Sequence, residues 1–145
     1  MNASDLSVSF AGCEKLISLF GRWPTFHDAE VYSFELQRSG GTPLTSPVCS
    51  VTIALSYLER GAPTEHDGPL VVLRFFDVCD LRLVGFDHQN SILGLQIVLC
   101  DTTTKPHPLP SHVYDVSFLA VHELGFSASF TCSRVEVVSV SSAGA

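Results

Sequence analysis

The spacing of apolar residues changes once in this chain, within Phe20-Gly21-Arg22-Trp23-Pro24-Thr25-Phe26-His27-Asp28-Ala29-Glu30. Before that stretch, Phe10, Cys13, Leu16, Ile17 and Phe20 recur at i, i+3, i+6, i+7 and i+10, one face of a short amphipathic helix. After it, apolar and polar residues alternate as they do in strands with one face on a core and the other in water. Gly21 can take the left-handed conformation that stops a helix, and Pro24 cannot continue one. The stretch therefore predicts a helix-to-sheet junction rich in aromatics, with Ser9 placed to cap the helix at its start.

Beyond the junction, Tyr32, Phe34 and Leu36 share one parity, and Ser33, Glu35 and Gln37 the other. The cleanest alternation runs through Cys49, Val51, Ile53, Leu55 and Tyr57. Further strands are expected over Leu70–Phe76, Cys79–Phe86, Ile92–Cys100, Tyr114–Ala120 and from Phe126 onward, with a turn or bulge between Asp77 and Asp80. After Ser133 the parity flips, so that Val135 and Val137 reach the core only through a β-bulge or by passing to another sheet environment. Gly- and Pro-rich segments at 37–43, 61–69 and 101–110 read as loops. The fold expected is α+β: an N-terminal helix on a curved, mostly antiparallel meander of about seven strands, with partial closure toward an open barrel as a variant. At 145 residues the chain is read as one domain, 1–145, and a domain of this size buries roughly 68–70% of its unfolded surface without help from disulfides or metal.

Charge narrows the partners. The net charge is −7, from 15 acidic against 8 basic residues, and Lys and Arg never cluster. Direct nucleic-acid binding needs clustered cations and is not expected, whereas an acidic surface can steer a basic protein partner. Cys13, Cys49, Cys79, Cys100 and Cys132 are odd in number and far apart, without a C-x-x-C pair, so they read as free, mostly buried thiols in a reducing compartment. No basic-then-apolar leader and no apolar run near the ~20 residues of a membrane helix is visible, which predicts a cytoplasmic protein without membrane association.

His27, Asp28 and Glu30 form the most suggestive polar cluster. With strand parity from Asp28 onward, Asp28 and Glu30 point to the core side and His27 away. Two carboxylates at the mouth of an apolar cavity could bind a metal, or serve as acid and base in a small hydrolase or isomerase. The plainer alternative is structural: Asp28 caps turn amides and His27 is a hydrogen-bonded scaffold residue. Asp87-His88 is a second such pair, while His107, His112 and His122 are scattered without metal-ligand spacing. No phosphate-binding, dinucleotide or nucleophile-elbow motif occurs, so no cofactor and no metal is predicted. A curved sheet could also hold a small apolar ligand. Trp23, with Phe20 and Phe26, is expected to pack between helix and sheet rather than to anchor a partner.

Phe20-Gly21-x-Trp23-Pro24-x-Phe26-His27-Asp28-Ala29-Glu30-Val31 resembles the N-terminal signature of the immunity protein 50 family, departing from it only in Thr25, which keeps the hydroxyl of the usual serine. Leu73-x-Phe75, Leu81-x-Leu83-x-Gly85-Phe86 and Gln89-Asn90-x-Ile92 are similar to the family's central strands, and Phe130-x-Cys132 to a late one. The resemblance implies a bacterial immunity protein of a polymorphic toxin system, which binds a cognate toxin domain and blocks it stoichiometrically, without catalysis. It implies no catalytic residue. Trp23, Pro24, Phe26, His27, Asp28 and Glu30 would define the junction. Acidic loop residues, among them Glu65, Asp67, Asp77, Asp80 and Asp87, with His88, are the partner-contact candidates, suited to a basic nuclease. Uncovered sheet edges could also pair two subunits.

Overall fold

A computed structural model describes residues 10–38, 47–55, 69–100, 114–123 and 125–141. In it, helix α1 (Glu14–Phe20) precedes eight strands: β1 (Glu30–Arg38), β2 (Pro47–Ala54), β3 (Leu70–Phe76), β4 (Cys79–Val84), β5 (Ile92–Leu99), β6 (Tyr114–Ala120), β7 (Ser127–Cys132) and β8 (Arg134–Ser141). The expected combination of an N-terminal helix with antiparallel sheet is present. The strands divide between two four-stranded sheets, ordered β1-β2-β3-β8 and β4-β7-β6-β5, which do not close into a barrel.

One corner makes two sheets out of one ladder. The β3–β8 pairing ends at Phe76 and Arg134, and the β4–β7 pairing starts at Cys79 and Thr131. Asp77 and Asp80 take left-handed backbone, φ 58 and φ 57, which a short polar side chain tolerates better than most. Ser133 pins the bend: its N–H donates to the Phe76 carbonyl at 2.9 Å and its hydroxyl to Asp77 Oδ2 at 2.5 Å. The parity flip after Cys132 is the point at which the chain leaves one sheet for the other, and Val135 and Val137 are buried in the second. The last expected strand is thus two, which raises the count to eight. The connection 85–91 carries the chain from β4 to the far edge of its sheet, so β4 to β7 follow a Greek-key order rather than a meander.

The junction stretch stitches the remaining corner. Thr25 accepts a bond from Leu95 N–H at 3.3 Å, Asp28 N–H donates to Ile92 at 3.1 Å, Ile92 N–H to Ala29 at 2.9 Å, and Val31 N–H to Asn90 at 3.0 Å. Among the described residues only the Glu30–Ser91 bridge carries this seam further, and the sheets do not close into a barrel. Between them, Phe34 and Phe75 from one sheet meet Phe118 and Phe130 from the other, with ring centroids 5.0–6.3 Å apart in mostly edge-to-face contacts. Such pairs combine large buried area with favourable quadrupole geometry.

Three local expectations differ. The helix begins at Glu14, not near Phe10, because Gly12 takes φ +79 and Ala11 accepts a bond from Val137 N–H at 2.7 Å, which ties this segment to β8. A Cβ at Gly12 would collide with the Val137 carbonyl oxygen, so glycine is required there. Its expected cap, Ser9, lies outside the described residues, and Cys13 occupies the N-cap position. Gly21 ends the helix as expected, at φ 76 with its N–H on the Ile17 carbonyl. Tyr32 is exposed rather than inward, because a register shift between Val31 and Ser33 inserts one residue and restores Phe34 to the core. Finally, β4 stops at Val84 instead of reaching Phe86, since Gly85 turns the chain at φ 75. Among the described residues no helix is long and apolar enough to cross a membrane.

Candidate functional site

Trp23, Pro24, Phe26 and Ala29 are buried, and His27 and Asp28 are exposed between them. Phe26 alternates this pattern out of strand phase, because both it (φ 63) and Asp28 (φ 60) sit in left-handed backbone. Trp23 packs edge-on between Phe10 at 5.4 Å and Phe26 at 5.9 Å, which places it in the core as expected. Thr25 supplies its hydroxyl to the His27 N–H at 3.2 Å, a local turn bond that explains the value of a hydroxyl at this position.

The expected inward pair of carboxylates does not form. Strand geometry begins only at Glu30, and the left-handed Asp28 turns its side chain to water, where it lies 3.1 Å from His27 Nδ1 with side chains 51% and 58% exposed. Glu30 is half-buried and accepts the Asn90 N–H at 3.3 Å. The two carboxylates therefore share no apolar cavity, and the volume between the sheets that an apolar ligand would need is occupied by phenylalanine rings.

The second acid–histidine pair lies in the loop that Asn90 bonds to the start of β1. Asp87 and His88 are exposed and 3.6 Å apart, in the loop whose last residue, Asn90, bonds to the junction. Asn90 is buried and organises both segments: its Nδ2 donates to the Val31 carbonyl at 3.2 Å and the Asp87 carbonyl at 2.9 Å, and its Oδ1 accepts the Asp87 N–H at 2.8 Å. Asp87 in turn accepts the Gln89 N–H at 2.9 Å. Asn90 is the positioning residue that sequence reasoning passed over, although an Asp and an Asn three apart in a short loop are a signal for such self-bonded turns. His27–Asp28 on the junction and Asp87–His88 on the loop are thus two solvated acid–histidine pairs, and Asn90 backs the second of them. Solvated groups of this kind can offer charge and hydrogen bonds to another molecule.

The other candidates lie elsewhere. Asp77 and Asp80 occupy the opposite end of β4, Asp77 half-buried against Ser133 and Asp80 exposed. Glu65 and Asp67 lie outside the described residues. Among the described residues, no group of three His, Cys, Asp or Glu side chains is arranged to hold a metal.

The thiols are set by burial. It pushes Cys49 from 9.0 up to about 12, and does the same for Cys132 with help from neighbouring Cys100. Cys79, expected to be buried, is half-exposed on its edge strand, and burial followed by Asp80 and Asp77 raises its thiol as well. Cys49 and Cys132 thus stay protonated and poorly nucleophilic at neutral pH. Their raised folded values mean that stability is complete below about pH 9 and lost as pH climbs toward about 12, by roughly 1 kcal/mol per pH unit per thiol. Urea midpoints compared at about pH 8 and about pH 10.5 test this. The same alkaline loss in a Cys49→Ala, Cys132→Ala variant would assign the effect to other groups.

A comparison with protein families finds that residues 12–143 match the family model described as Immunity protein 50. Among curated proteins and among solved structures no match is found.

Proposed function

The chain belongs to the immunity protein 50 family, and on that premise we propose that it binds a cognate toxin domain and neutralises it by forming a stoichiometric complex. The observation that carries this reading is the family match across nearly the whole chain, residues 12–143. It acts without turnover: the toxin's working surface is occluded or distorted by a complementary one. The site geometry supports the same reading. His27 and Asp28 on the junction, and Asp87 and His88 on the loop held by Asn90, are presented in water, the setting of docking contacts and not of a desolvated acid–base pair.

The net charge of −7 favours a basic toxin, such as a nuclease, through electrostatic steering of the encounter. Asp80, Asp87 and His88 are the exposed contacts proposed within the described residues, and Glu65 and Asp67 complete the acidic set in sequence. Asp77 has a second duty at the sheet corner, so its substitution would report on the fold as well as on binding.

A rescue assay tests the proposal. The C-terminal domain of a large secreted protein, where one is encoded beside this gene, is expressed alone and together with this protein. Growth is expected only on co-expression, with a stable one-to-one complex on purification. Unrelieved toxicity with no complex would remove the immunity reading.

A further inference from the structure

One arginine among the described residues has no partner for its guanidinium. Arg74 pairs with Glu136, Arg134 lies over the Phe76 ring, and Arg22 and Arg38 have contacts of their own. Arg82, exposed on β4, makes neither an ion pair nor a side-chain hydrogen bond with any described residue. In a chain of 15 acidic and 8 basic residues, a guanidinium with no carboxylate beside it is the exception.

Arg82 lines a groove of about 320 Å³ that crosses the outward face of β4, β7 and β6. Cross-strand pairing builds it: Arg82 stands opposite Ser129, Ser129 opposite Ser117, and Val84 opposite Ser127. Neighbouring strands lie about 4.8 Å apart, so a group seated over Ser129 has Arg82 on one side and Ser117 on the other. The hydroxyls of Ser117, Ser127 and Ser129 are, like the guanidinium, without a hydrogen-bond partner among the described residues. All four residues sit on paired strands, which hold them in place without a loop to order. No acidic side chain lines the groove, and Asp115, two residues before Ser117 on β6, has a contact of its own.

Building on the immunity reading, we propose that this groove receives an aspartate or glutamate side chain of the toxin, its carboxylate held by Arg82 and by the serine hydroxyls of β7 and β6. A guanidinium presents its N–H groups as a planar fork that matches a carboxylate, and such charge-assisted bonds are about twice as strong as neutral ones. The hydroxyls donate to the lone pairs that the fork leaves over. A cationic guest would meet the charge of Arg82, and an apolar one would cover polar groups without replacing their water. The contact complements the acidic surface. A net charge of −7 steers a basic partner from a distance, and one contact of opposite sense fixes the orientation in which it lands.

The test uses the full chain and the toxin domain of the rescue assay. Arg82→Glu is expected to weaken the complex by roughly 30-fold or more, the scale for breaking a buried charge pair, with unchanged melting of the free protein. Ser129→Leu, which fills the groove, should weaken it as well. Lys15→Gln removes a positive charge from an exposed helix position and should alter binding less than about twofold. Reversal of the matching toxin acid to arginine should restore binding to Arg82→Glu, the coupling that a double-mutant cycle reads. Undiminished binding by both groove variants, or a loss that couples to no toxin carboxylate, would overturn the assignment and leave the immunity reading standing. Saturable shifts of the 117, 127 and 129 amides in toxin-free protein with micromolar glutarate, abolished by Arg82→Glu, would instead assign the groove to a free small anion. Failure of the wild type itself to bind or rescue would overturn both readings.

Discussion

Phe75→Ala is expected to destabilise the protein by about 3–5 kcal/mol, the range for deleting a large aromatic from a core that relaxes only partly. Phe75 is fully buried and stands between the sheets, with its ring 5.0 Å from Phe130 and 6.3 Å from Phe118. Its loss removes contacts from both layers at once, and no neighbouring strand can close the gap without breaking its ladder. For a chain of this size the melting temperature should fall by about 10–20 °C. Phe76→Ala supplies the internal contrast. Phe76 points to the opposite face, half-buried under the Arg134 guanidinium, which lies 3.9 Å from its ring centroid. That contact is worth about 0.5–1 kcal/mol at an exposed site, so this substitution should cost far less. Equal losses at the two adjacent phenylalanines would contradict the two-layer packing.

Asn90→Ala carries the second large effect, about 2–4 kcal/mol, through polar groups left without partners rather than through a cavity. The substitution strips a donor from the Val31 and Asp87 carbonyls and an acceptor from the Asp87 N–H. The β1–β5 seam and the Asp87–His88 loop should both loosen, with faster hydrogen exchange at 28–31 and 87–92 while the β2–β3 amides stay protected. Asn90→Asp is expected to be worse near neutral pH, because a buried carboxylate would face two carbonyl oxygens. It should recover partly in acid, when protonation restores one donor. Chemical denaturation of the three proteins at two pH values orders them, and an Asp variant as stable as wild type would refute the clamp. If the proposed function holds, Asn90→Ala should also weaken toxin binding without altering any contact residue, since it removes only the support beneath Asp87 and His88.

Much of the candidate site was legible as residues and little of it as geometry. The Trp-Pro-x-Phe-His-Asp stretch identified the junction, and Trp23 packs where its area required. The orientation of Asp28 was not legible, because parity arguments assume strand backbone and two left-handed residues precede β1. Nor was the link between the junction and the Asp87–His88 loop, sixty residues further on, which is made by the bonds of Asn90 and Ile92 to the junction.

Local periodicity determined by itself that this chain makes a short helix followed by antiparallel strands, and which side of β2 is buried, because side-chain direction in a strand depends only on its own backbone. It also determined where the helix stops, at a glycine free to take positive φ. The tertiary structure alone decided how the strands are shared. The bend at Asp77 and Ser133 is held by bonds between segments far apart in sequence, and the β4-to-β5 connection is short enough to pass for a hairpin. Partner choice, register and the open edge at β4 are properties of pairs of strands, and no single strand encodes them.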